Sequence, residues 1–188
     1  MKNLFVRLFV VAAVLALSPS AVAPTRTADA APVKAAANKR VLGQIDRLRR
    51  TTWRLQELMG RPKTPTHYAE RRSPDHQYRL WVRDLWKHRA TRAHRQATNP
   101  PRKAAWLCIH RYERNPAQGW GTRTGNGYYG GLQMDIAFQR AYGPELLRRR
   151  GTADNWRWFE QMWVAERAYR SGRGFYPWPN TARFCGLI

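Results

Sequence analysis

The sequence predicts a mostly helical protein, in which a basic helical hairpin precedes a C-terminal domain of shorter helices. Apolar residues recur at helical spacing in several stretches of the chain. Clusters of proline and glycine interrupt these stretches and divide them into separate helices. Hydrophobic residues make up 43% of the chain and aromatic residues 12%, which is enough to form a core and excludes a wholly disordered protein.

Residues 1–30 have the pattern of a signal peptide. Basic residues precede an apolar run at residues 8–17, which is shorter than the roughly 20 residues that a membrane span needs. Small residues follow, and cleavage fits after Ser20, Ala23 or Ala30. An uncleaved N-terminal anchor is the alternative. Both interpretations place the rest of the chain outside the cytoplasm, and cleavage would leave a secreted or cell-wall associated protein with no integral membrane segment.

The region before the C-terminal domain is divided into a linker, residues 31–38, and a basic helical region, residues 39–100. Apolar residues recur at helical spacing over residues 38–59 and again over residues 75–96. Residues 61–74 contain three prolines and predict a loop. We expect the two helices to form a hairpin that packs on the C-terminal domain; the alternative is a cationic arm that binds the cell wall.

The formal net charge of +22 favours an anionic polymer or surface as the partner. Nucleic acid and a bacterial cell wall are both anionic. The export signal and the lack of a recognisable nucleic-acid-binding motif favour the cell-wall surface, so we expect no nucleic-acid partner. The histidines show no spacing typical of metal ligands, and neither a metal nor an organic cofactor is implied.

Residues 101–188 predict helices on either side of a glycine-rich stretch. The first helix starts at Pro101, a position where proline is tolerated. The glycine-rich stretch, residues 119–131, follows it. Two further helices end near residues 142 and 171, each at a glycine.

Glu113 is the candidate catalytic acid. It lies where the first of these helices ends, with Trp106 and His110 on the same helix face. Aromatic side chains around a carboxylic acid destabilise its charged form and raise its pKa, which suits a general acid. By position alone, a glutamate that ends a helix in solvent is the alternative interpretation.

A longer pattern surrounds Glu113 and covers residues 103–188. Its members are Trp106, Cys108, Glu113, Trp120, the run TGNGYYGGLQ at residues 124–133, Glu160-Gln161, Ala165-Glu166, Trp178-Pro179 and Cys185. This pattern resembles the transglycosylase-like domain of actinobacterial resuscitation-promoting factors, which belongs to the lysozyme-like superfamily. The resemblance implies a compact, lysozyme-like α+β fold for the C-terminal domain.

The same resemblance implies the chemistry. In that family the glutamate that ends the first helix is the catalytic acid, which here is Glu113, and the substrate is the β-1,4 bond between N-acetylmuramic acid and N-acetylglucosamine in peptidoglycan strands. It also implies a disulfide between Cys108 and Cys185, which an even cysteine count in an exported chain favours over two free thiols. The predicted substrate-binding residues are Trp120, Thr124, Asn126, Tyr128, Tyr129 and Gln133.

These residues depart from the family pattern around the acid. The family usually has the cysteine directly before the glutamate, whereas Cys108 lies about one helical turn earlier here. Arg114 follows Glu113 in place of a small residue. A non-catalytic cell-wall-binding module with the same fold is therefore the alternative to an enzyme.

No second catalytic carboxylate is evident. Asp135 is nearest in sequence, but we expect it to cap the helix that follows, and we expect Glu160 and Glu166 to be structural. A mechanism with one acid follows, in which the 2-acetamido group of the substrate shelters the oxocarbenium-like centre. The 6-hydroxyl of the muramic acid would give a 1,6-anhydro product and water would give hydrolysis; the sequence does not separate these two.

Overall fold

The computed structural model describes residues 30–188, with side chains from residue 33 onward. The predicted signal peptide lies outside the described residues except for Ala30. The fold is mostly helical and α+β, as predicted, with one small antiparallel sheet among the described residues. In chain order the elements are α1 (Ala30–Leu58), α2 (Ala69–Arg72), α3 (His76–Ala97), α4 (Lys103–Glu113), β1 (Tyr128–Tyr129), β2 (Met134–Asp135), α5 (Ile136–Tyr142), α6 (Pro144–Arg150), α7 (Trp158–Ala168) and α8 (Pro179–Phe184).

The two long helices α1 and α3 run parallel, so the prediction of a helical hairpin is wrong in direction. Near the start of both helices, Oδ1 of Asn38 lies 2.6 Å from Nδ1 of His76. Just beyond the end of α1, Arg61 donates a hydrogen bond of 2.8 Å to Gln96 near the end of α3. The starts of the two helices therefore lie together, and so do their ends. We call residues 30–100 the parallel helix pair.

A long return segment, residues 59–75, makes the parallel direction possible. The indole of Trp53 donates to the carbonyl oxygen of Thr64 at 2.8 Å, and the indole of Trp86 donates to Glu70 at 2.7 Å. These bonds hold the segment along the pair as it returns to the start of α3. Two helices that are joined by a short loop lie antiparallel. The return segment is long enough to run back over the roughly 33 Å that α3 spans, even though part of it forms α2.

The linker predicted at residues 31–38 is also corrected, because these residues are the beginning of α1. Residues 35–37 are three consecutive alanines. Alanine has the highest intrinsic helix propensity, since its side chain loses no rotamer freedom in a helix. The composition that suggested a tether therefore also suits a helix, and the helical region begins at residue 30.

The parallel helix pair packs on the C-terminal domain, as one of the two predicted interpretations required. The guanidinium of Arg167 donates to the carbonyl oxygens of Glu57 at 3.1 Å and Leu58 at 2.9 Å. The indole of Trp163 donates to the carbonyl oxygen of Ala97 at 2.8 Å. Apolar residues near the ends of α1 and α3 join the main core: Leu55, Leu58, Met59, Ala93 and Ala97.

The C-terminal domain surrounds α7, which is buried from Phe159 to Glu166. The predicted disulfide between Cys108 and Cys185 is present and joins α4 to the residue that follows α8. Such a bond fits an extracellular protein. Among residues 30–188, no helix combines the length and apolar character that crossing a membrane requires.

Candidate active site

Glu113 is the last residue of α4 and is half-buried. Its Oε1 accepts a hydrogen bond from the hydroxyl of Thr181 on α8. The disulfide from Cys108 to Cys185 links the same two segments, since Cys108 lies in α4 and Cys185 follows α8. The carboxylate is therefore held between α4 and the C-terminal tail by a neutral donor.

The aromatic residues predicted to shield Glu113 have other partners. Trp106 is buried and its indole donates to Glu166 at 2.8 Å. His110 is also buried, and its ring stacks on Trp120 with centroids 3.8 Å apart. The carboxylate that Trp106 contacts is thus Glu166, not Glu113.

His110 holds α4 against the glycine-rich stretch. Its Nδ1 lies 3.0 Å from the carbonyl oxygen of Gly131, which can only accept, so this nitrogen carries the proton. Burial lowers the pKa of the His110 imidazole, the bond to Gly131 raises it, and the positive charge of Arg114 lowers it further; the net direction is downward. His110 is therefore a neutral structural residue at neutral pH.

Gly131 is required by this packing. A Cβ atom there would collide with the ring of His110 and come within 2.9 Å of the ring of Trp120. Gly130 is restricted in the same way, because a Cβ atom would lie 2.5 Å from Oε1 of Gln161. These two glycines allow the turn to pack closely on the core.

The three predicted polar residues in and just after the glycine-rich stretch come together at the surface. The Thr124 hydroxyl donates to Oδ1 of Asn126 and lies 3.4 Å from Oε1 of Gln133. The same Asn126 oxygen accepts from the backbone N–H of Tyr128 at 3.2 Å. We call Thr124, Asn126 and Gln133 the polar cluster.

The predicted aromatic residues divide between surface and core. Tyr128 is exposed, while Tyr129, which was also predicted to bind substrate, packs against the main core. They form β1, which pairs with β2 in the register Tyr128 to Asp135 and Tyr129 to Met134. Trp120 is half-buried with one face covered by His110, so only its other face and its edges could meet a sugar.

An open groove of about 390 Å³ runs beside this sheet. Its walls include Tyr128 and Gln133 from the predicted set, and also Phe138, Trp178 and Arg173. We call it the β-hairpin groove. Glu113 is not among its lining residues, although its partner Thr181 lies on α8, one helical turn after Trp178.

Each of the other carboxylates near the site has a structural partner. Asp135 caps α5 as predicted, accepting from the backbone N–H of Phe138 at 2.6 Å. Glu160 accepts from the backbone N–H of Arg157 at 2.8 Å at the start of α7. Glu166 is fully buried and accepts from Trp106 and from Arg102, both at 2.8 Å. The predicted structural roles of all three are confirmed.

Sequence reasoning missed Thr181 and Arg173. The only signal for Thr181 was the nearby Cys185, whose predicted bridge to Cys108 brings α8 to α4.

Within the described part of the chain, no group of three or more His, Cys, Asp or Glu residues could hold a metal ion. Comparison of the chain with protein-family models and with curated proteins finds no match.

Proposed function

We propose that this chain is a secreted enzyme that cleaves the β-1,4 bond between N-acetylmuramic acid and N-acetylglucosamine in peptidoglycan, with Glu113 as its single catalytic acid. The observation that carries the proposal is the placement of Glu113. Its half-buried carboxylate ends α4 and has the hydroxyl of Thr181 as its hydrogen-bond partner. The resemblance of residues 103–188 to the transglycosylase-like family supplies the substrate class.

A hydroxyl partner suits an acid that must gain and lose a proton. The Thr181 hydroxyl can donate to the carboxylate, and after rotation it can accept from the protonated acid. An arginine or lysine in its place would favour the charged form alone. The Thr181 contact thus positions Glu113 in both protonation states of a catalytic cycle.

In the proposed reaction the Glu113 carboxylic acid gives its proton to the oxygen of the leaving sugar as the glycosidic bond breaks. The acetamido oxygen of the substrate stabilises the positive centre at C1. The oxygen of the muramic acid 6-hydroxyl, or of water, then forms a bond to C1 while the Glu113 carboxylate takes the proton from that oxygen. Asp135, Glu160 and Glu166 keep their structural partners and take no part.

The polar cluster and Tyr128 are proposed to bind the sugar. Amide and hydroxyl groups of the cluster can pair with acetamido groups, and the exposed ring of Tyr128 offers a flat apolar face to a pyranose. Gln133 contributes to both features, since it belongs to the cluster and lines the β-hairpin groove.

Release of muropeptides from purified sacculi tests the proposal. Glu113→Gln keeps the shape of the side chain and a partner for Thr181 but has no acidic proton, so we expect release to fall by at least about a hundredfold. Glu145→Gln is the matched control, because Glu145 is a half-exposed glutamate on α6 that pairs with Arg148. Mass spectrometry of the products also distinguishes 1,6-anhydro ends from hydrolysed ends. No release by the unmodified protein, or equal release by the Glu113 variant, would contradict the proposal.

A non-catalytic cell-wall-binding module is the second candidate. It is favoured by the absence of Glu113 from the residues that line the β-hairpin groove. This candidate predicts that the unmodified protein and the Glu113→Gln variant sediment equally with sacculi and that neither releases muropeptides.

A further inference from the structure

A second groove lies between the parallel helix pair and the C-terminal domain. Its volume is about 480 Å³, and its walls come from α1, α3, α6 and the start of α7. The buried side chains of Leu55, Leu58 and Leu146 contribute its apolar surface. We call it the seam groove. It shares no lining residue with the β-hairpin groove.

The seam groove has an excess of positive charge. Its ionisable lining residues are Arg54, Arg149, Arg150, Arg157, His94 and Glu160. Glu160 is the sole carboxylate among them, and it already accepts from the backbone N–H of Arg157 at 2.8 Å and lies 3.5 Å from the guanidinium of Arg150. Four guanidinium groups thus face one carboxylate that has its own partners.

Most of the guanidinium donors in this groove remain available. Arg54 makes no side-chain hydrogen bond or ion pair with any residue in the range 30–188 that the structure describes, and it is exposed. Arg149 uses its Nε to donate to the carbonyl oxygen of Glu145 at 3.1 Å, which leaves its terminal nitrogens for another acceptor. Gathering like charges at one groove costs free energy unless an anion offsets them.

We propose that the seam groove binds the phosphate groups of an anionic cell-wall polymer whose repeating units are joined by phosphodiester bonds. A guanidinium presents a rigid fork of donors that matches phosphate oxygens in a bidentate way. Four such groups exceed what a single carboxylate would neutralise. A cavity of 480 Å³ lies in the range of drug-sized ligands, which is larger than one inorganic phosphate, so a short stretch of polymer is the fitting occupant.

Titration calorimetry with a defined oligomer of glycerol phosphate tests this site at 150 mM sodium chloride. The variant Arg54→Gln/Arg150→Gln removes two groove charges, and we expect binding at least about tenfold weaker. The matched control is Arg50→Gln/Arg148→Gln, which removes the same charge from exposed positions on the same two helices, outside the groove; we expect a change of about twofold or less.

Arg150 also contacts Glu160, so its substitution could weaken binding by destabilising the fold. A second variant separates this effect from the loss of a phosphate contact. Arg54→Glu alters a residue without partners among those described, and it should weaken binding while the melting temperature stays unchanged. Equal weakening in groove and control variants would overturn the proposal, because it would mean that diffuse surface charge binds the polymer.

Two more ligands separate the possible sources of phosphate. Inorganic phosphate that binds as tightly as the oligomer would overturn a polymer site. A single-stranded DNA oligonucleotide with the same number of phosphates that binds more tightly, with the same dependence on Arg54, would assign the groove to nucleic acid and also overturn the proposal. Muropeptide release from sacculi stripped of phosphate polymers should be the same for the unmodified protein and the groove variants, so this inference and the proposed enzyme can fail separately.

Discussion

The parallel helix pair and the C-terminal domain bury their side chains in different ways. The pair consists of two long helices with a small apolar core of their own: Val41, Ile45, Val82 and Trp86. The C-terminal domain has no described helix longer than the 11 residues of α4 and α7, and it buries polar side chains completely: Gln139, Gln161 and Glu166. Regular helices satisfy their own backbone, whereas short elements leave polar backbone groups that side chains must satisfy.

The buried glutamines show how this works. Gln139 donates to the carbonyl oxygen of Met134 at 2.7 Å and accepts from the backbone N–H of Ala153 at 3.0 Å. Gln161 donates to the carbonyl oxygens of Trp120 and Ala153, both at 2.9 Å. The stability of the domain that carries Glu113 therefore depends on such buried polar contacts, whereas in the helix pair single buried bonds, such as the one from Trp86 to Glu70, add to a repeated apolar pattern.

The largest expected effect comes from the disulfide, which only the C-terminal domain contains. Its sequence separation of 77 residues closes a long loop in the unfolded chain, so Cys108→Ser/Cys185→Ser should lower the free energy of unfolding by about 4–5 kcal/mol. Urea denaturation followed by circular dichroism measures the change. Reduction of the unmodified protein should reproduce it, and a loss below about 1 kcal/mol would mean that the noncovalent contacts of the short elements suffice.

The buried carboxylate of Glu166 should follow. Glu166→Leu leaves the indole of Trp106 and the guanidinium of Arg102 without their acceptor, which should cost about 3 kcal/mol of unfolding free energy. Glu145→Leu on the exposed pair with Arg148 should cost less than about 1 kcal/mol. Chemical denaturation of both variants measures the contrast, and equal costs would mean that the buried polar contacts of this domain contribute no more stability than its exposed ones.

The smallest effect is a dependence on pH through His110. Its pKa in the folded protein is lowered from the ordinary value of 6.5, so the unfolded chain binds more protons in this window. The contribution of the neutral ring is present in full above about pH 6.5 and is lost as the pH falls toward the lowered pKa of the folded state. The urea midpoint should therefore be lower at about pH 4.5 than at about pH 7.5, a range that extends to both sides of the ordinary histidine pKa.

A matched pair of variants isolates that effect. His110→Gln can still donate to the Gly131 carbonyl oxygen but does not titrate, so its midpoint should vary less with pH. His88→Gln alters an exposed histidine and should keep the dependence of the unmodified protein. An unchanged pH profile in His110→Gln would assign the titration to other groups.

Helical spacing and capping chemistry were sufficient to predict much of the secondary structure. The predicted stretch at residues 75–96 is α3 within two residues at each end, and the Asp135 cap was expected from its residue type. The direction of α3 could not be read in the same way, because an apolar stripe looks the same for parallel and antiparallel neighbours. It depends on bonds to the return segment, such as the one from Trp53 to Thr64.

The candidate site was predictable only in part. The strands β1 and β2 have two residues each, too few for an alternating pattern to appear. The contact between Glu113 and Thr181 joins residues far apart in sequence, and neither residue type indicates which side chain it will contact. Trp106 and His110 were placed on the correct helix, but the packing of α7 and the glycine-rich turn determined what they touch.

The parallel direction of α1 and α3 sets how far the chain reaches. The 29 residues of α1 extend about 42 Å from the docked end to Ala30. In an antiparallel hairpin the start of α1 would lie beside the end of α3, against the C-terminal domain. In this protein it lies at the opposite end, so the pair is a spacer that holds residue 30 about 42 Å from the docked end of α1.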